Sequence, residues 1–163
     1  MERCVPRRRK ALGRTRENFE GSSEPEVLRR YLSDHGLKMT TQREKILEVF
    51  LETQGHVTAE QLYDRLKRID PSIGFTTVYR SLRLLCACGL AQERSFGHGP
   101  TRYENAYTRH HHDHLVCVKC GRIIEFENES IEEIQKEVAR THRFELLDHR
   151  HELYGHCEAC RMS

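Results

Sequence analysis

The chain has 163 residues, 37% hydrophobic and 32% charged, with a formal net charge of +2 and seven cysteines. That length and composition suit a water-soluble protein of one or two small domains, each with a modest core. No apolar run approaches the roughly 18 residues of a membrane span, and the basic N-terminus lacks the apolar segment of a secretory signal, so no membrane partner and a cytoplasmic location are expected.

The small net charge hides an asymmetry. Residues 1–16 carry seven Lys or Arg against Glu2, while the remainder holds 20 Lys or Arg against 24 Asp or Glu. Residues 1–22 therefore read as a disordered basic tail, which touches nucleic-acid phosphates, solubilises the protein, or reflects an upstream start codon. With an acidic body, any nucleic-acid surface on the folded part must be a local patch.

Ser23-x-x-Glu26 with Pro25 inside it predicts a capped helix carrying Val27, Leu28, Tyr31 and Leu32 and ending at Gly36. A second helix is expected to start at Thr41-x-x-Glu44 and bury Ile46, Leu47, Phe50 and Leu51. A third starts at Thr58-x-x-Gln61 and buries Leu62, Leu66 and Ile69 before Pro71. The fourth, about 75–86, mixes apolar residues with Thr76, Thr77, Tyr79, Arg80 and Arg83. Hydroxyls and arginines grip phosphates, arginine reads guanine edges and tyrosine meets the thymine methyl, so this composition suits a recognition helix in the major groove. Two strand-like segments, Leu90 to Phe96 and Thr101 to Glu104, flank a Gly97-His98-Gly99-Pro100 turn. Helices followed by a hairpin suggest a winged helix-turn-helix.

The second half carries metal chemistry. Cys117-x-x-Cys120 and Cys157-x-x-Cys160 form two turns that together supply the tetrahedral four-sulfur shell Zn2+ prefers in structural sites. A closed shell leaves no position for water, so this metal is expected to hold the fold together and not to catalyse. Ahead of the first pair runs His110-His111-His112-Asp113-His114. In a strand, alternation puts His112 and His114 on one face and His111 and Asp113 on the other. A second strand through Ile124-Glu125-Phe126 would bring Glu125 close. Imidazole with carboxylate suits Fe2+, Mn2+, Zn2+, Co2+ or Ni2+; the plainer reading is a solvated histidine-rich loop. Ser130-x-x-Glu133 is expected to cap a helix with Ile131, Ile134 and Val138 on its apolar face, followed by a strand over 144–154. A unit this small is uncomfortable alone, and pairing with a second copy solves its burial problem.

These motifs resemble the ferric uptake regulator (Fur) family of bacterial metal-dependent repressors. The resemblance runs from about Gly36 to Cys160. It rests on Thr77-Val78-Tyr79-Arg80, the run from His110 to Cys117, Cys120-Gly121, Ile124-Glu125-Phe126 and Leu153-Tyr154-Gly155-His156-Cys157. It implies an α+β protein, with a winged-helix DNA-binding domain (23–104), a hinge (105–109) and a small α/β dimerisation and metal-binding domain (110–163) whose three-stranded sheet is stapled by zinc. A regulatory metal, Fe2+ with Zn2+ or Mn2+ as alternatives, would be held by His56, Glu104, His112, His114 and Glu125. A further site would use His111, Asp113, Glu132 and His149. Lys38 and Arg43 would approach DNA backbone or minor groove, and Thr77, Tyr79 and Arg80 would lie at the major groove. The expected function is an Fe2+-dependent repressor of iron-uptake genes, acting as a homodimer on A/T-rich inverted repeats. A zinc- or manganese-responsive regulator and a metal-storage protein are the alternatives. A metallohydrolase is disfavoured because no open coordination position or general base is identifiable.

Overall fold

The computed structural model describes residues 22–97, 99–107 and 112–162. The predicted basic tail, apart from Ser22, lies outside them, as do His98 and residues 108–111.

The first helix, α1 (Glu24–Asp34), begins as the capping pattern requires, with the Ser23 backbone N–H donating to Glu26 Oε2 at 2.7 Å. Helix α2 (Thr41–Leu51) starts one residue away from the expected cap. Thr40, not Thr41, is extended and accepts from the Arg43 N–H, because Thr41 already has helical geometry. Strand β1 (Val57–Thr58) leads directly into α3 (Ala59–Ile69), where Thr58 and Gln61 exchange both capping-box bonds. The expected burial of Ile69 fails: it is 57% exposed, since the helix ends there and only Leu62 and Leu66 of its predicted stripe reach the core. Helix α4 (Phe75–Ala87) turns Val78, Ser81, Leu82 and Leu85 inward.

Strands β2 (Ala91–Arg94) and β3 (Arg102–Asn105) form the predicted hairpin, and β1 adds to it, giving the antiparallel order β1-β3-β2. One cluster fills this half, with Leu32, Ile46, Phe50, Leu62, Leu66, Val78, Leu82, Leu85 and Leu90 at its centre. Four helices backed by a three-stranded wing make it a winged-helix unit, with α4 packed on α2 and α3.

The second sheet has the order β5-β4-β6, from β4 (Asp113–Cys117), β5 (Ile123–Phe126) and β6 (Glu152–Gly155). β5 runs antiparallel to β4 and β6 parallel to it, the latter after the crossover helix α5 (Glu129–Thr141). Here the expectations need two corrections. α5 is capped by Asn128, whose side chain accepts from Ser130 N and Ile131 N, and not by Ser130, which lies inside the helix. The last strand is four residues long instead of filling 144–154, because β4 offers only His114 to Cys117 for pairing. The short helix α6 (Glu158–Arg161) follows.

The two halves differ in burial. In the second, Val116 and Cys117 are the buried apolar residues among those described, whereas Ile134, Val138, Phe144 and Leu147 are 64%, 55%, 70% and 79% exposed. The whole is α+β, a winged helix followed by a small α/β unit.

Candidate metal centres and DNA-facing surface

The strand register brings the two cysteine turns together. Cys117 ends β4 opposite Gly155 of β6, so the chain leaves both strands at the same edge, and Cys157 follows two residues later. Gly121 takes φ +70°, the left-handed geometry that closes the first turn. All four sulfurs lie within 4.8 Å of one another, with Cys120 Sγ and Cys157 Sγ 3.7 Å apart. A tetrahedron with Zn–S of about 2.3 Å has sulfur–sulfur edges of about 3.8 Å, so the spacing fits zinc and is far too long for a disulfide. The Cys157 N–H donates to Cys117 Sγ at 3.3 Å. That contact and the Cys120 N–H pull the Cys117 thiol down to about 5, while hydrogen bonding from the Cys120 and Cys157 side chains pushes Cys160 up to about 12. Backbone donors thus prepare one thiolate, and a bound cation would draw off the remaining protons.

A second cluster spans the two halves. His56 comes from the loop between α2 and β1, Glu104 from β3, His112 from the residue just before β4 and His114 from within it. One ligand atom from each lies within 4.8 Å of the others. Glu104 Oε2 is 3.0 Å from both His56 Nε2 and His112 Nε2. Yet His56 Nε2 and His114 Nε2 are buried and make no hydrogen bond among the described residues. His112 Nε2 is hydrogen-bonded to Glu104 Oε2, but the His56 and His114 nitrogens are left facing the same point, and edges of about 3.0 to 3.4 Å are those of a metal shell with bonds of about 2.1 Å. The chemistry suits the task. Burial alone would raise the Glu104 carboxyl, but the adjacent His56 and the Arg94 guanidinium outweigh it and hold it at about 2. Burial, with His56 nearby, lowers His114 to about 4, leaving a neutral imidazole able to donate a lone pair. Phe96 covers the group, 5.2 Å from the His56 ring and 5.0 Å from that of His114.

Glu125 stands beside these four atoms. It faces His114 across the sheet, and its Oε1 approaches His56 Nδ1 at 3.1 Å and His112 Nε2 at 3.9 Å. In this arrangement Glu125 steadies the outer nitrogen of His56 while the inner one turns to the cluster, the usual carboxylate–histidine support of a metal ligand. A cleft of about 760 Å³ lined by Gly55, His56, Arg102, Gly121, Arg122 and Glu125 opens next to it.

Asp113, Glu132 and His149 form a third cluster, with His149 Nε2 3.1 Å from Glu132 Oε1. His111 lies outside the described residues. His151, which the sequence did not single out, sits 3.4 Å from Asp113 Oδ2. Arg94 carries no sequence signal of its own either. Its contact with Glu104 depends on strand register, which the sequence does not display.

On the winged-helix half, Tyr79 and Arg80 are exposed on α4, and Thr77 is half-buried on its first turn. Lys38 is exposed before α2, and the Arg43 guanidinium donates to the Lys38 carbonyl, fixing the two basic residues near each other.

A winged helix joined to a small α/β unit, with a four-thiolate cluster and a histidine–carboxylate centre drawing on both halves, defines a metal-responsive transcriptional regulator. Residues 34–154 match the ferric uptake regulator family. The chain belongs to that family. It is 46% identical over 133 residues to the ferric uptake regulation protein of Yersinia pestis, covering 80% of this chain and 89% of that one. The Helicobacter pylori ferric uptake regulator, whose structure is described as revealing three functional metal binding sites, superposes with a TM-score of 0.79 at 30% identity, covering 91% of this chain and 95% of that one. The Pseudomonas aeruginosa ferric uptake regulator, solved with manganese, does so with a TM-score of 0.65 at 38% identity, covering 81% and 98%.

Proposed function

We infer that the protein is an Fe2+-dependent repressor of iron-uptake genes, acting in the cytoplasm as a homodimer on A/T-rich inverted repeats. Residues 23–104 form the DNA-binding domain, 105–109 the hinge and 110–163 the dimerisation domain. Zn2+ held by Cys117, Cys120, Cys157 and Cys160 is structural. The regulatory ion is held by His56, Glu104, His112 and His114 with Glu125 alongside, and Asp113, Glu132 and His149 with His111 take a further ion. Lys38, Arg43, Thr77, Tyr79 and Arg80 face DNA.

The observation that carries this reading is that the ligand atoms of His56 and Glu104, from the winged-helix half, lie within 4.8 Å of those of His112 and His114, from the other half. With a cation bound, His56 and Glu104 of one half and His112 and His114 of the other would be held to a common point, and the two halves would lose their freedom relative to one another. In a dimer this fixes the separation of the two α4 helices, as required to match two half-sites. A 100-fold gain in operator affinity needs about 2.7 kcal/mol of coupling, within the usual allosteric range, and DNA must tighten metal binding by the same factor.

A gel shift on A/T-rich inverted-repeat DNA with and without Fe2+ under anaerobic conditions tests the reading. Fe2+ should promote the shift, and Arg80→Ala should weaken it by about 1–3 kcal/mol if Arg80 reads a base. Equal binding without metal would overturn it. A zinc-responsive regulator is supported by the donor set itself, since three imidazoles and a carboxylate have no intrinsic preference for Fe2+ over Zn2+.

A further inference from the structure

We propose that Arg94 fixes how many oxygens Glu104 offers to the regulatory ion, and thereby sets the coordination number and metal preference of the centre; this rests on the regulatory reading above. Arg94 pairs with Arg102, and Glu104 with Gln92, so Arg94 and Glu104 sit two positions apart on the same face of the β2–β3 ladder. That diagonal is within reach of a long side chain. The two carboxylate oxygens then have separate partners. Oε1 is 2.5 Å from Arg94 Nε, while Oε2 is 3.0 Å from His56 Nε2 and from His112 Nε2.

The pair is deeply placed, with the Glu104 side chain 2% and the Arg94 side chain 18% exposed. Guanidinium does not give up its proton, and pulling Oε1 away would leave a nearly buried cation without its anion. Glu104 therefore presents one carboxylate oxygen to the histidines and would offer a bound ion one donor instead of two. Three imidazole nitrogens and one oxygen make a compact set suited to ions that accept few, nitrogen-rich ligands, and poorly suited to those that favour an oxygen-rich octahedron. Arg94 would tilt selection against Mn2+ without itself touching the ion, which makes it a positioning residue.

The test uses the full-length dimer with zinc retained, comparing the parent with Arg94→Gln, Arg94→Lys and His114→Ala, and Co2+ as the probe. Visible absorption per bound cobalt reports coordination number, because low-coordinate cobalt absorbs more strongly. Arg94→Lys keeps the charge and one donor and should keep the parental spectrum. Arg94→Gln frees Oε1, and the absorption should fall by about twofold or more, while the ratio of Zn2+ to Mn2+ affinities shifts about tenfold towards Mn2+. A folded Arg94→Gln protein with parental spectrum and parental ratio overturns the proposal. Should that variant fail to fold, X-ray absorption on the parent decides: about four or five nitrogen and oxygen neighbours around cobalt support it, and six overturn it. A His114→Ala protein that binds cobalt like the parent overturns the regulatory reading itself, a result distinct from an inert Arg94.

Discussion

At the histidine–carboxylate centre Glu104 is held ionised and His114 neutral, the states in which each can ligate a cation. His114 is lowered from 6.5 to about 4, so between those values the unfolded chain takes a proton that the folded one refuses. More protons on the unfolded state means that stability rises with pH. The protein without its regulatory ion should therefore lose stability as pH falls from 6.5 towards 4, and His114→Asn should flatten that slope. Urea denaturation across this range measures it, and an identical slope in the variant would remove His114 as the source. A second comparison separates the clusters. His56→Ala should abolish metal-dependent operator binding while zinc stays in the cysteine site, whereas His149→Ala should change it little. Anaerobic Fe2+ titration read out by operator binding decides, and a normal response in His56→Ala would break the hinge-locking mechanism. These residues were unequally legible. His112, His114 and the cysteines announced themselves by spacing, while His56 and Glu104 became visible through the family resemblance. Arg94 and His151 depend on pairings that only folded strands create.

At the level of helices and strands, the readable parts were those whose signals are local. Capping patterns at Ser23 and Thr58 and the apolar stripes of α1, of α2 as far as Phe50 and of α3 as far as Leu66 needed nothing but neighbouring residues. Strands β1 and β6, of two and four residues, were invisible or misjudged because each exists only through a partner far away in sequence. The caps of α2 and α5 shifted for a related reason, since Thr40 and Asn128 also offer the required oxygen and the chain's entry angle chooses between candidates. Thr58→Ala should cost about 1 kcal/mol, the usual value of a lost N-cap, seen as a lower urea midpoint with an unchanged slope. No change would mean that β1 pairing, not the cap, starts α3. Cys157→Ser should release zinc and unfold the second half, because metal-binding energy in such sites, on the order of 10 kcal/mol, is folding energy. A zinc-free variant retaining its circular dichroism and its dimer would sink the structural role.

For the molecule as a whole, the imbalance of burial is the main fact. The winged-helix half has its own core, whereas α5 has no buried residue and its apolar side chains Ile134 and Val138 face outward. With an apolar stripe of that kind uncovered, a second copy is the natural cover. Val138→Asp should shift sedimentation from dimer to monomer and reduce operator affinity. A variant that still sediments as a dimer would move the interface elsewhere.

The position of the second cysteine turn also dictates timing. Cys157 meets Cys117 across 40 residues of chain, and β6 must arrive before β4 has its parallel neighbour. During synthesis the four-helix half can close on its own core while the partners of Cys117 are still unmade. The winged-helix core is thus complete in the nascent chain before the four-thiolate cluster can assemble. A product cut short ahead of Cys157 would therefore keep the winged-helix core while lacking two of the four thiolates and the β6 strand that pairs with β4.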